Sequence, residues 1–278
     1  MKKNVMTLAN KIKLHAYEKI FKEKRGKERD LYVVMDEWAS VILEDIDKFE
    51  KRKEGGVSLG VGESADVEKN EDTGRMISYL VSYKTLINYF RVLSGMDRDQ
   101  IIAGIFMVYG WMPKVLRFNC GETLKDEEFA EVHDFLLSLQ RCGLSEALDL
   151  LDEDGMRSLE KVKRITNNSV VGMSKLLHFI NPTVFPMYDS NIGEVFGGFS
   201  DVTSYVGYVK GFNEICSEFA VDVSKFAKSE RITNLRRKCC CDEKFIWSYV
   251  RLVELVLFRM GKNLKREKEK RKRGRGES

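Results

Sequence analysis

The sequence predicts an all-α protein, and three observations predict it. Only 3 of the 278 residues are proline, and strong helix formers fill the chain, so few positions refuse a helix. Apolar side chains recur at three- and four-residue steps along most of the length, the period of a helix with one buried face. No series of alternating apolar and polar residues marks a set of strands, and no internal repeat of fixed period is present. With 43% hydrophobic and 32% charged residues, the composition is that of a globular chain long enough for one large domain or two smaller ones.

The elements follow in order. Leu8, Ile12, Ala16 and Ile20 lie at four-residue steps and predict a first helix. Leu31, Val34, Met35, Trp38, Val41, Ile42 and Phe49 trace the stripe of a second. Arg25-Gly26-Lys27 is the expected break between them, and the pair is expected to pack on the body of the protein. Residues 53–73 exchange the apolar pattern for glycine, serine and acidic residues, which predicts a flexible loop. Gly60 and Gly62 within it make no phosphate-binding fingerprint, because no strand precedes them and no Gly-Lys-Ser/Thr follows. Met76, Leu80, Tyr83, Leu86, Ile87 and Phe90 predict a helix over 75–93. Asp97 can cap a helix running to Val108. Tyr109–Pro113 interrupts that helix, and Pro113 suits the first turn of the next. Further helices are expected over 125–140, 145–151 and 158–165, with Gly155 as a break. Asp201–Phe219, Ser224–Lys238 and Lys244–Gly261 complete the set. The last is apolar almost all round, as a helix inside a core is, and its Arg251 and Glu254 are spaced to pair.

Charge is unevenly distributed. The net +4 of the chain conceals a segment, Lys262–Ser278, with nine Lys or Arg and three Glu; the remainder carries 38 basic and 40 acidic residues. Such a run attracts phosphate, in nucleic acid or at an anionic membrane surface, or simply solubilises the chain. The expected organisation is a helical pair over 1–52, a loop over 53–73, a compact multi-helix domain over 74–262 and a disordered basic tail over 263–278.

Met1–Lys13 is polar and charged, unlike a signal peptide. No apolar run approaches the roughly 20 residues of a membrane span. The six cysteines are therefore expected to stay reduced in a cytoplasmic protein. Cys239-Cys240-Cys241 lacks the C-x-x-C spacing of a zinc site, so neither a metal nor a cofactor is expected.

One segment carries chemistry. In Asn167–Ile192 a turn at Gly172 is expected to open a helix near Met173 that ends at Asn181-Pro182. Pro186 then directs an extended link, and Asp189 or Asn191 caps the next helix, Glu194 completing a capping box with Asn191. Gly172 and Ser174 would offer backbone N–H groups to a phosphate. Lys175 and Asp189 would converge on one cleft.

Val171-Gly172-Met173-Ser174-Lys175 resembles the Gly-Val-Gly-x-Lys turn of the helix-hairpin-helix DNA glycosylase superfamily. Phe185-Pro186-Met187-Tyr188-Asp189 resembles that family's Val-Pro-x-Asp link. The resemblance covers residues 170–195 and implies a glycosylase-like domain, DNA as partner, and a role in DNA repair. It also implies Lys175 as the nucleophile that attacks the sugar and Asp189 as the stabiliser of its cationic transition state. Lys265, Arg266, Lys270, Arg271, Lys272 and Arg273 would supply phosphate contacts. Two residues separate Gly172 from Lys175 where the family has one, which sets Ser174 in the lysine position of a strict alignment. The interval to Asp189 is also shorter. A non-catalytic binding or protein-interaction role is the alternative.

Overall fold

Residues 2–20, 31–54, 78–111, 126–240 and 247–276 are described in the computed structural model of the chain. The expected break at Arg25–Lys27, the loop from residue 55 onward, Pro113 and Cys241 lie outside them. The described residues contain helices and no strand.

Helix α1 (Lys2–Ile20) buries Ala9, Ile12, Ala16 and Ile20, and α2 (Leu31–Glu54) buries Leu31, Val34, Met35, Ala39, Ile42 and Ile46. Both stripes have the expected period, and α2 runs to the edge of the expected loop. Residues 78–90 form α3, which buries Leu80, Tyr83, Leu86, Ile87 and Phe90. A short 3-10 turn at Leu93–Gly95 leads to α4 (Arg98–Tyr109). Asp97 caps α4 through a reciprocal box with Gln100, each bond 2.9 Å long, which satisfies two otherwise orphaned donors.

Helices α5 (Asp126–Arg141), α6 (Leu144–Leu150) and α7 (Glu153–Ile165) follow. Gly155 does not break the chain as expected; it lies in the first turn of α7. Asp152 caps that turn by accepting N–H bonds from Asp154 and Gly155, both at 3.0 Å. Glycine is needed because a Cβ there would stand 1.9 Å from the Leu150 carbonyl. Asn167 and Asn168, with φ of 55° and 50°, make the turn into α8 (Val170–Ile180), using the left-handed conformation that asparagine tolerates best after glycine.

Helices α9 (Ser190–Phe196) and α10 (Val202–Glu218) come next. The single helix expected over 224–238 is two, α11 (Ala220–Ala227) and α12 (Glu230–Cys240). Neither glycine nor proline marks the joint. It is held by local bonds: the Thr233 hydroxyl reaches the Ser229 carbonyl at 3.1 Å, and Arg236 caps the free Ala227 carbonyl at 2.7 Å. The last helix, α13 (Tyr249–Gly276), begins in the core, where Val250 to Leu257 are all buried.

The N-terminal pair packs on the body. α1 lies against α9 and α10, where Gly211 admits the Ala9 carbonyl, and α2 lies against α11, α12 and α13. Lys13–Glu218 at 2.7 Å, Arg231–Asp36 at 2.7 Å and a half-buried Arg259–Asp45 pair cross these contacts.

Most of the basic segment is described as a continuation of α13, which runs from the core to Gly276. Its Lys, Arg and Glu are strong helix formers, and a helix already nucleated in a core extends at low cost. Glu267 and Arg271, four apart and 4.0 Å from each other, have the favourable orientation, and Lys268 pairs with Glu194 of α9.

Helices α9 and α13 run side by side, with Gly261 against the Asn191 backbone, where a Cβ would stand 1.9 Å from the Asn191 carbonyl. Gly261→Ala is expected to lower stability by about 3 kcal/mol, because two backbones must separate. Gly198→Ala, at a position open on all sides, should stay within about 0.5 kcal/mol of the parent. Urea midpoints of the two variants check this; equal midpoints would contradict the close α9–α13 contact.

Candidate functional site

Between α8 and α9 the chain first turns over 182–184, where the Asn181 carbonyl accepts from the Val184 and Phe185 N–H groups at 3.3 and 3.1 Å, and then runs on through the interior to Asp189 without a helix, with Val184 to Tyr188 all buried. Beyond that turn the segment makes no internal backbone hydrogen bond, and no strand lies beside it among the described residues. Most of its backbone groups are therefore met by side chains. Ser248 donates to the Pro182 carbonyl at 2.6 Å, and Asn213 to the Val184 carbonyl at 2.7 Å. His178 donates to Phe185 at 2.7 Å, Tyr205 to Pro186 at 3.2 Å and Tyr208 to Met187 at 2.9 Å. The Met187 N–H reaches Glu254 Oε2 at 3.2 Å, and the Tyr188 N–H reaches the Ser174 hydroxyl at 2.9 Å. Asn181 fixes the start of the link by donating to the Leu139 and Cys142 carbonyls at 2.8 and 2.9 Å.

These partners explain which polar residues are buried and how they titrate. His178 is fully buried. Its Nδ1–H serves Phe185, so Nε2 accepts from the Tyr83 hydroxyl at 2.8 Å, which defines a neutral imidazole. Burial first, and the Arg251 charge second, push its pKa down to about 3. Glu254 accepts from Arg251 Nη1 at 2.6 Å. Burial still raises its carboxyl to about 7, against the pull of Arg251 and of the Met187 N–H. Arg251 lies over the Tyr83 and Trp111 rings, 4.7 and 5.6 Å from their centroids. Its buried Nε has no hydrogen-bond partner.

Gly172 and Ser174 do not form the expected phosphate-binding turn. The helix starts earlier, at Val170, capped by Ser169, whose hydroxyl takes the Gly172 N–H at 3.2 Å. Gly172 is a buried packing position: a Cβ would stand 2.5 Å from the Tyr109 hydroxyl, which is held by the Thr166 carbonyl. Ser174 is completely buried beneath the link. The cap of α9 is Asp189, whose Oδ1 accepts from Asn191 at 2.8 Å and Ile192 at 2.9 Å; Asn191 lies inside the helix and makes no box with Glu194. Trp111 and Tyr109 are core residues: Trp111 stacks on Tyr79 at 5.1 Å and donates to Ser82 at 2.9 Å.

Lys175 is the exception among the buried polar residues of α8, because it serves no group of the link. It is 8% exposed, and among the described residues its amine makes one hydrogen bond, 2.9 Å to the Trp111 carbonyl. Burial lowers its pKa to about 8, and the Arg251 charge adds to this, against the opposing pull of Asp189 and Glu254. Lys175 and Asp189 are thus within electrostatic reach across the link, yet form no ion pair. Asp189 is half-buried, and its Oδ2 bears no hydrogen bond among the described residues.

Lys265, Lys270, Arg271, Lys272 and Arg273 are exposed on the extension of α13, and Arg266 is half-buried. Sequence reading missed Asn213, Tyr205 and Tyr208 as partners of the link. A lone asparagine inside the apolar stripe of α10 was the available signal, since a buried amide needs a specific acceptor.

The titration of His178 gives a signed prediction. The unfolded imidazole binds a proton near pH 6.5 and the folded one only near 3, so its contribution is complete above pH 6.5 and is lost as pH falls through that window. His178→Phe is expected to cost about 3 kcal/mol at pH 7, because a buried carbonyl and a buried hydroxyl lose their partner. The deficit should shrink below pH 6.5 by up to about 1.4 kcal/mol per pH unit. Urea unfolding of both chains between pH 4.5 and 8 measures it, and a pH-independent deficit would show that His178 is not held neutral.

No family model, no curated protein and no solved structure matches the chain.

Proposed function

We propose that the chain is a DNA-binding protein that acts on a nucleotide turned out of the duplex, with Lys175 as nucleophile and Asp189 as its electrostatic partner in base excision. The observation that carries this reading is the state of Lys175. An ammonium removed from water with one hydrogen bond among the described residues is costly to the fold and serves no backbone group of the link. A structural role explains Ser174, His178, Asn181, Asn213 and Glu254; it explains Lys175 poorly. A lysine whose pKa is pulled toward neutrality by burial is suited to attack carbon.

The chemistry follows from the groups present. The neutral amine attacks the sugar C1′ as the glycosidic bond breaks, and the base departs with the bonding electrons. The unused Oδ2 of Asp189 offsets the positive charge that develops on the sugar. Loss of a proton from nitrogen and opening of the sugar ring leave an imine between Lys175 and the deoxyribose. The resemblance of residues 170–195 to helix-hairpin-helix glycosylases and the exposed basic helix support DNA as the partner. The free thiols Cys142 and Cys216 accord with a cytoplasmic location, and a part in DNA repair belongs to the same reading.

A second reading, a binding protein without chemistry, is favoured by one observation: the Lys175 amine is tied to the Trp111 carbonyl and not aimed at Asp189 by an ion pair. Borohydride trapping on duplexes carrying abasic sites or modified bases separates the two. The expected result is a covalent protein–DNA adduct that falls roughly a hundredfold or more in Lys175→Gln. Its rate should climb as pH rises through about 8, where the amine of Lys175 loses its proton. An adduct that survives the substitution removes Lys175 as nucleophile. Binding without any adduct leaves the second reading.

A further inference from the structure

The basic extension is a helix, and a helix distributes its charges by face. Successive residues turn by about 100° and advance about 1.5 Å. From Lys262 to Arg273, one half of the circumference carries Lys262, Lys265, Arg266, Lys268, Lys272 and Arg273 with a single acid, Glu269. The other half carries Lys270 and Arg271 with Glu267, and Arg271 already pairs with Glu267 at 4.0 Å. The core-facing line, through Leu257, Gly261 and Leu264, belongs to neither flank's centre. The basic half is therefore a solvent-facing flank of α13.

This flank starts beside the candidate site. Gly261 touches Asn191, two residues from Asp189, and Lys268 pairs with Glu194 further along α9. Lys265 and Lys272 lie about 6 and 16 Å along the axis beyond Gly261. Both are exposed and carry no ion pair among the described residues.

We infer that the Lys265–Lys272 flank of α13 is the phosphate-tracking surface of the protein, and that the opposite flank is not. The inference rests on the nucleic-acid reading above and adds its interface. The occupant is the sugar–phosphate backbone of a duplex, contacted without regard to sequence. Residues 265–273 expose only charged side chains besides half-buried Arg266. They have no apolar face to enter a bilayer and no aromatic or apolar centre for a protein interface, whereas phosphate binding needs only arrayed cations.

Two double variants of the full chain test it, each removing two positive charges: Lys265→Ala with Lys272→Ala, and Lys270→Ala with Arg271→Ala. Affinity for a labelled random-sequence duplex is measured across a salt series, with circular dichroism confirming unchanged helix content. The first variant should lose roughly tenfold in affinity and flatten the log–log salt slope by about 1.8. The second should leave the slope within about 0.5 of the parent value. Equal effects would overturn the face assignment while leaving DNA binding intact. Absence of duplex binding by the unaltered chain would sink the nucleic-acid reading and this inference with it. Tighter binding to phosphatidylserine-containing vesicles, or to polyglutamate, than to the duplex would overturn the choice of occupant.

Discussion

An extended segment buried among helices is the constraint on which the rest of this structure depends. A helix satisfies its own backbone and a sheet satisfies its neighbour's, but the link to Asp189, once past its Asn181–Phe185 turn, does neither. Its carbonyls and amides are met by Ser174 and His178 from α8, Tyr205, Tyr208 and Asn213 from α10, and Ser248 and Glu254 at the start of α13. Three helices are thereby held in register by bonds to one strand-like segment. Each of these bonds adds only about 1 kcal/mol, but losing a partner leaves a buried backbone group bare, which costs more. The polar residues of this core are therefore interdependent.

The same arrangement sets the electrostatics. Glu254 enters the core to hold the Met187 amide, Arg251 enters to hold Glu254, and both stand close enough to act on Lys175 and His178. His178 is held neutral by burial and by the Arg251 charge, against the pull of its bond to the Phe185 carbonyl. The amine of Lys175 is also pulled toward neutrality. Burial is the larger cause of that pull, with Arg251 adding to it and Asp189 and Glu254 opposing it.

Charge on the outside follows a different logic. α13 is one continuous helix whose first half is core and whose second half is solvated. Its direction is fixed by packing on α9, where Gly261 lets two backbones meet. The basic residues are consequently presented in a fixed orientation relative to Asp189 and not on a free chain. A charged run alone attracts counterions from all sides; a charged run on an anchored helix presents them by face.

The sequence by itself determined the all-helical class, the apolar stripes of α1 to α3, the cap at Asp97, a cap at Asp189 or Asn191, the end of α8 at Asn181-Pro182 and the Arg251–Glu254 pair. Each of these depends on residues within about one or two turns of one another, so spacing suffices to find them. Only the tertiary structure decided that Gly155 and Gly172 are packing positions inside helices, that Ser174 braces the link, and that Ser229 divides α11 from α12. It alone decided that the basic run continues α13. Those outcomes depend on atoms far away in the chain: the Tyr109 hydroxyl behind Gly172, the Tyr188 amide above Ser174, the Asn191 backbone against Gly261. Local pattern records how a residue suits a helix or a turn; which distant backbone group it must satisfy, or make room for, is settled only when the helices pack.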